Sequence, residues 1–356
     1  MNRRDFIRYC GAVLASTAFG HKPVYAKWID VTAQGEMPLG MMVIDAHSHP
    51  LLFPCYPPPG WCDLASTPEK ITQLKMNASC FAVTGDSSSG RIIPYDEILQ
   101  NLNNILALEE QGELKIIRRH SDLPHDVYSP HYVPGALLGV EGIMFIGDKL
   151  DEFYGLGVRL MTLMHYHQGE VGDIMTQPPV NGGLTDMGKA IVEKMCSLGI
   201  IIDAAHAHVN TLKPMTDIAL AHGLPVIDSH TSLIPTTLPQ RGRLRTFYEM
   251  EMVVRTGGIV CLWPLQVIIN PLNYKKTTFE DWAKEIRTIA DRFGIEHVGI
   301  GTDGGGIGYL GTLINGYESI LDFPKLVDAM DKEGFKRQEI QAFFGGNMLR
   351  VMKAYM

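Results

Sequence analysis

Eight apolar runs, most of them closing on a potential metal ligand, constrain this chain more than any other feature. They are "MMVIDAH" (41–47), "ASCFAVTG" (78–85), "ALLGVE" (136–141), "VRLMTLMH" (158–165), "GIIIDAAH" (199–206), "LPVIDSH" (224–230), "GGIVCLW" (257–263) and "HVGIGTD" (297–303). Runs that are apolar almost throughout, rather than at alternate positions, suit strands buried on both faces of a parallel sheet. Helical patterns lie between several of them. "LTDMGKAIVEKMCSLG" offers Thr185 as N-cap and Gly199 as stop, "TFEDWAKEIRTIADRFG" ends the same way at Gly294, and "TPEKITQLKMN" puts Pro68 in a first turn. Eight strands alternating with helices predict an α/β fold of the (β/α)8 barrel type, with an open doubly wound sheet as the rival. The chain has 356 residues, 46% of them apolar and 20% charged, and no linker rich in Pro, Gly or Ser divides it. Residues 27–356 therefore read as one domain. The polar stretch 86–134 is expected to hold a helical insertion after the second strand.

The reactive residues fall where these runs end. His47 and His49 close the first, Glu141 the third, His165 the fourth, His206 the fifth, His230 the sixth and Asp303 the eighth. Within a strand, residues i and i+2 face the same way, so the two imidazoles of "VIDAHSHP" can reach one ion. In a barrel the carboxyl ends of all strands meet on one face, where such enzymes place their chemistry. Imidazole nitrogen and carboxylate oxygen in this number suit one or two zinc ions, with Glu141 able to bridge a pair. No HExxH, GxSxG or Walker A motif is present, nor a CxxC pair for a thiolate zinc site. The glycine-rich "GTDGGGIG" (301–308) as a phosphate cradle is the weaker reading of that segment.

The first residues belong to a different problem. "MNRRDFIRYCGAVLASTAFG" carries Arg3, Arg4 and Phe6 ahead of a short apolar run, and "VYA" (24–26) offers a cleavage site. Residues 1–26 thus read as a twin-arginine export signal, too short in its apolar run to span a bilayer, and the mature protein as periplasmic or exported. Removing that segment takes the net charge from −8 to about −11, which argues against a nucleic-acid partner. Cys80, Cys196 and Cys261 sit in apolar stretches and read as buried thiols, whereas Cys55 and Cys62 flank a loop where an oxidising compartment allows a disulfide.

Taken in order, seven segments resemble the renal (membrane) dipeptidase family of metallopeptidases from about residue 41 to the C-terminus. They are "VIDAHSHP", "GVEG", "LGVRLMTLMH", "GLTDMGKAIVEKMCSLGIIIDAAH", "PVIDSHTS", "VGIGTDGGG" and "GGNMLRVM". The resemblance implies a barrel that hydrolyses dipeptides through a metal-bridged hydroxide at its C-terminal face. His47, His49, Glu141, His206 and His230 would hold two Zn2+ ions, Glu141 bridging them. Asp303 would carry the proton between attacking water and leaving amine, and His165 would steady the developing oxyanion. Arg241 in "LPQRGRL" would hold the substrate carboxylate, with Arg243 as the neighbour able to replace it. The mature protein would have a small dipeptide partner and no membrane span, and the resemblance leans toward a homodimer.

Three departures stand out. His49 occupies a position where the family usually has aspartate, "YHQGEVGD" follows His165 in place of an Asn-containing loop, and "TDGGGIG" lacks a second acid. Two other readings stay open. One is a different metal-dependent amidohydrolase acting on lactones, cyclic amides or phosphoesters, since "HSH" pairs suit such enzymes. The other is an exported metal-binding protein without catalysis, against which Asp303 argues.

Overall fold

The computed structural model describes residues 37–50, 66–87, 90–142, 149–235, 242–306 and 312–356; residues 1–26, Cys55, Cys62 and Arg241 lie outside these. All eight expected strands form. They are β1 (Ile44–Asp45), β2 (Ala78–Thr84), β4 (Gly135–Glu141), β5 (Val158–Thr162), β6 (Ile201–Asp203), β7 (Ile227–Thr231), β8 (Ile259–Leu262) and β11 (Val298–Ile300). They pair in parallel in that order, for example from Ala78 opposite Gly135 to Thr84 opposite Glu141. The short β3 (Lys115–Ile116) pairs with β4 outside the barrel order, and β9 (Val267–Ile269) and β10 (Tyr274–Lys276) form an antiparallel hairpin.

Closure is made just past the ends of the first and last strands. Ala46 N donates to Ile300 O (3.0 Å), Asp303 N to His47 O (2.9 Å) and His49 N to Gly304 O (2.7 Å). Ser48 and Gly304 thereby form a parallel bridge that joins the two sides. The result is a nearly closed eight-stranded parallel barrel surrounded by helices, as the apolar runs predict.

Capping residues set the helix starts. In α1 (Pro68–Leu74) Pro68 occupies the first turn after the N-cap Thr67. Among its described residues the stretch 86–134 holds one α-helix, α2 (Tyr95–Glu110), and a single 3-10 turn (His120–Asp122), and α2 is part of the connection between β2 and β4. Helix α3 (Leu150–Leu156) precedes β5. In α4 (Asp186–Leu198) the Thr185 hydroxyl accepts from Gly188 N (3.1 Å), and the helix stops at Gly199. Helices α5 (Val209–Ala221) and α6 (Phe247–Arg255) follow β6 and β7, and α7 (Phe279–Phe293) starts with Thr278 accepting from Asp281 N (3.2 Å). These caps satisfy donors that a first turn leaves without partners.

Two apolar layers result. Outward-facing strand residues such as Phe81, Leu138 and Val260 pack against the helices, while Ala46, Leu137, Leu160, Ile201 and Ile259 fill the barrel interior. Cys80 and Cys261 are buried inside the barrel and Cys196 against the helical layer, all three free thiols as expected. After α8 (Phe323–Lys332) and α9 (Arg337–Gln341), the last helix α10 (Asn347–Tyr355) covers the N-terminal end of the barrel. There Asn347 Nδ2 donates to Val298 O (2.9 Å) and Tyr355 Oη to Pro225 O (2.9 Å). The other end, where the strands finish, is left for polar side chains. Near it, the fully buried Lys276 donates to the Ser232 hydroxyl, Trp263 O (3.0 Å) and Glu285 Oε2 (2.9 Å), while Leu233 N donates to Glu285 Oε1 (2.8 Å). That buried pair fastens the β9–β10 hairpin and α7 to the segment after β7. Among the described residues, no helix is long and apolar enough to cross a membrane.

Candidate metal centre

Glu141, the last residue of β4, stands at the centre of the open end and is almost wholly buried. Its Oε1 lies 2.9 Å from His206 Nε2 and 3.6 Å from His230 Nε2. Its Oε2 lies 3.4 Å from both His47 Nε2 and His49 Nε2, and 3.5 Å from His165 Nε2. One carboxylate thus faces two groups of imidazoles with different oxygens. Burial opposes its ionisation, but His165, His47 and His206 outweigh that and hold its pKa well below the ordinary carboxylate range.

The Nδ1 atoms of His47, His49, His165 and His230 are held by a second layer of polar groups, whereas that of His206 is buried with no hydrogen-bond partner among the described residues. Asp203, ending β6, accepts from Thr162 Oγ1 (2.5 Å) and Ser229 Oγ (2.6 Å), and its other oxygen accepts from the amides of Ala205 (3.0 Å) and Ser229 (3.0 Å). Because the Ser229 hydroxyl spends its proton on Asp203, it accepts from His230 Nδ1 (2.8 Å) and His47 Nδ1 (3.3 Å). The proton on each Nδ1 leaves the Nε2 lone pair pointing inward, as a metal ligand requires. His49 Nδ1 donates to Ala82 O (2.9 Å), so that loss of the Nε2 proton leaves that lone pair pointing inward. His165 Nδ1 donates to Asp86, whose other oxygen accepts from the His167 amide (2.8 Å), the Tyr166 amide (3.1 Å) and His167 Nδ1 (3.0 Å). Asp45, in β1, accepts from Thr302 N (2.9 Å), Thr302 Oγ1 (2.7 Å) and Ser66 Oγ (2.8 Å), tying the first strand to the last.

Burial, with Arg243 and His47 adding to it, pushes His230 well below the usual imidazole pKa; burial and Arg243 do the same to His206. Both rings are therefore neutral, each keeping one nitrogen lone pair, and Arg243 lies against the Nε2 atoms of both. Burial also disfavours charge on His49, but the carboxylates of Asp303 and Glu141 outweigh it and push its pKa up to about 10. His206 and Asp303 hold the left-handed backbone conformation (φ +66° and +52°), which is costly for residues other than glycine and concentrates at functional sites.

The donor set fits divalent metal ions. Three overlapping groups, His47–His49–Asp303, His47–Glu141–His230 and Glu141–His165–His206, each bring their ligand-type atoms within 4.8 Å of one another. A tetrahedral zinc ion with bonds of about 2.0–2.1 Å separates its ligands by about 3.3 Å. The Nε2 atoms of His206 and His230 are 3.3 Å apart and those of His47 and His49 are 3.1 Å apart, so the spacing is that of ligands around shared ions.

Every strand-end residue singled out in the sequence and described here is brought together at this centre. Arg241 is not described. The arginine found in the site is its neighbour Arg243, buried, with Nη2 3.1 Å from His230 Nε2, Nη1 against His206 Nε2, and its guanidinium over the Trp263 ring. Asp86, Asp203 and Ser229 escaped notice in the sequence. For Asp203 a signal exists: "VIDAH", "IIDAAH" and "VIDSH" repeat Ile-Asp just ahead of a candidate ligand histidine, and Asp45, Asp203 and Asp228 are all buried. Asp228 accepts from Arg245 Nε (2.7 Å), and Arg245 also donates to the carbonyls of Ala204 (2.8 Å) and Ala207 (2.7 Å), which flank His206.

Several known proteins are similar to this chain. Dipeptidase verJ of Clonostachys rogersoniana is 32% identical over 221 residues, covering 61% of this chain and 54% of that protein. Dipeptidase aclJ of Aspergillus oryzae is 29% identical over 236 residues, covering 65% and 54% respectively. The chain thus spans about half the length of the curated relatives it matches. Among solved structures, the probable dipeptidase PvdM from Pseudomonas aeruginosa superposes with a TM-score of 0.73 at 15% identity, covering 88% of this chain and 95% of that one. A metallopeptidase from Rhodobacter sphaeroides, liganded with a phosphinate mimic of L-Ala-D-Ala, gives 0.71 at 18%, covering 89% and 100%. These two likenesses show the fold. The family model for membrane dipeptidase (peptidase family M19) matches residues 69–355, and the chain belongs to that family.

Proposed function

We propose that the protein is a zinc-dependent dipeptidase with two ions at the C-terminal end of its barrel. The observation that carries this reading is the position of Glu141, whose two oxygens face separate pairs of inward-pointing imidazoles. His47 and His49 would hold one ion, His206 and His230 the other, and Glu141 both. Zinc bound there supplies an acidified water and a polarised carbonyl. The chain's own residues do the rest. Asp303, beside His49 at 3.2 Å, accepts a proton from the water and returns it to the leaving nitrogen. His165, its Nδ1 held by Asp86, acts in the form that also carries a proton on Nε2, which it donates to the reacting carbonyl oxygen.

Arg243 takes the role first read for Arg241: a buried guanidinium beside the ligand histidines binds the free carboxylate of a short peptide. Such a fixed cation favours dipeptides over longer chains. Family membership and relatives named as dipeptidases support this substrate class.

The test is a panel of L,L- and L,D-dipeptides, including L-Ala-D-Ala, given to zinc-loaded protein alongside lactones, cyclic amides and phosphoesters. Turnover of dipeptides is expected. Turnover of another class with none of any dipeptide sinks the assignment, and the "HSH" pair makes a different amidohydrolase the alternative. Export by the twin-arginine route is proposed from residues 1–26, and cell fractionation tests it.

A further inference from the structure

The exchange of aspartate for His49 leaves a charge deficit that the surrounding geometry addresses. If the ions were held by His47, His49, Glu141, His206 and His230 alone, one carboxylate would face two dications in a buried site. Uncompensated buried charge is expensive. Asp303 is the nearest further carboxylate. Its Oδ1 lies 3.2 Å from His49 Nε2, while His49 Nε2 lies 3.1 Å from His47 Nε2 and 3.4 Å from Glu141 Oε2. His47 Nε2 is again 3.4 Å from Glu141 Oε2. These separations bracket the edge of about 3.3 Å that four ligands around one tetrahedral zinc ion would show.

The glycine-rich segment after the last strand is shaped around this contact. A side chain at Gly306 would collide with Asp303 Oδ1 and come within 2.9 Å of His49 Cδ2. At Gly305 (φ +93°) it would press on His49 O at 2.6 Å. "TDGGG" therefore has a structural reason of its own: only bare backbone lets residues 303–306 lie against His49, with Asp303 turned in.

We propose that Asp303 is itself a metal ligand, completing the first ion's site with His47, His49 and Glu141 and supplying the negative charge absent at position 49. The proposal rests on the metal-dependent reading above. It is compatible with proton transfer, because a carboxylate that coordinates through Oδ1 keeps Oδ2 free to accept a proton. It predicts that positions 49 and 303 are interchangeable sources of one negative charge.

The experiment measures metal rather than turnover. Wild type, Asp303→Asn, His49→Asp and the double variant are stripped with chelator, checked for folding by circular dichroism, and titrated with Zn2+ and with Co2+. Two equivalents are expected for wild type. In Asp303→Asn one of the two should bind at least about tenfold more weakly, with a changed cobalt visible spectrum. The double variant should regain two tight equivalents. Two unaltered ions in Asp303→Asn overturn the proposal, and so does a loss there that His49→Asp does not restore. If Asp303→Asn does not fold, Gly306→Ala is read instead, since it crowds Oδ1 without changing ligand chemistry; an unweakened first ion in that variant overturns the proposal. Wild type that binds no divalent ion would overturn the metal-dependent reading and this proposal together. Failure to cleave dipeptides, by contrast, would leave the ion count untouched.

Discussion

Asp203 and Ser229 are 2.6 Å apart, and that one hydrogen bond sets the direction of two histidines. With its proton committed to Asp203, the serine hydroxyl can only accept from His47 and His230. Ser229→Ala removes the acceptor from both Nδ1 groups while leaving every ligand in place. Zinc affinity, read by competition with a chelator, should fall about 10–100-fold, the range typical of groups that orient ligands. Ser229→Thr, which keeps the hydroxyl, should recover part of it. Unchanged affinity in Ser229→Ala would show that packing alone orients these rings.

Asp86 is a positioning residue for His165 and for the "YHQ" segment behind it. Asp86→Ala strands the His165 Nδ1 proton and two backbone donors, at a cost of about 1–3 kcal/mol per group left buried without a partner. The expected signature is a fall in kcat of at least about tenfold, a smaller change in KM, and a zinc stoichiometry that stays at the wild-type value. Loss of zinc instead would make His165 a ligand rather than a group that acts on substrate.

Arg243→Met should raise KM for dipeptides with a free carboxylate by about 10–100-fold, because hydrogen bonds to charged groups contribute about 1.5–3 kcal/mol each. Dipeptide amides, which lack the carboxylate, should lose little on the same change. Equal losses on both substrates would exclude Arg243 as the carboxylate-binding group.

Proton release during metal uptake should be uneven between the two ligand groups. His206 and His230, with lowered pKa values, carry no proton on Nε2 to give up near pH 8, whereas His49, pushed up to about 10, does. Since a ligand must shed its proton to coordinate, loading chelator-treated protein at pH 8 should release about one proton from His49. As the pH falls below about 10, protons compete first for His49, so the ion it holds should be the first lost. Calorimetry in buffers of different ionisation enthalpy measures the release directly.

Lys276 and Glu285 form a buried ion pair away from the reacting groups. Lys276→Met should cost about 3–5 kcal/mol by leaving Glu285 charged and without its cation, while Lys276→Met with Glu285→Gln should recover much of that loss. Urea unfolding checks both. Equal destabilisation by the single and double changes would mean that the lysine acts through packing.

Much of this was legible in the sequence because the barrel writes its chemistry at strand ends. A histidine or carboxylate after an apolar run is visible without any structure, and seven such positions, from His47 to Asp303, converge as expected. Supports are harder to read when they act across the chain. Asp86 sits in a polar loop, 79 residues from His165, and nothing local marks it. The choice between Arg241 and Arg243 turns on the register of "QRGRLR", a loop has no periodicity to fix register, and Arg241 lies outside the described residues. Strand lengths were overestimated for a related reason. Residues 46–49 do not extend β1 as a strand, although they bond partly to the far end of the chain, because closing a barrel shifts pairing from one neighbour to the other.

The seam where the barrel closes has a consequence for how the protein comes into being. Asp45 and Thr302, 257 residues apart, share a side-chain hydrogen bond beside His47, and Ser48 bridges to Gly304 beside His49. Such distant pairings form late, since chain entropy must be given up before they contribute. The candidate metal pocket around His47, His49 and Asp303 is therefore complete only once the C-terminal part of the chain has arrived. A nascent fragment ending before the last strand would hold the histidines without the shape, so tight binding of metal reports that folding has finished.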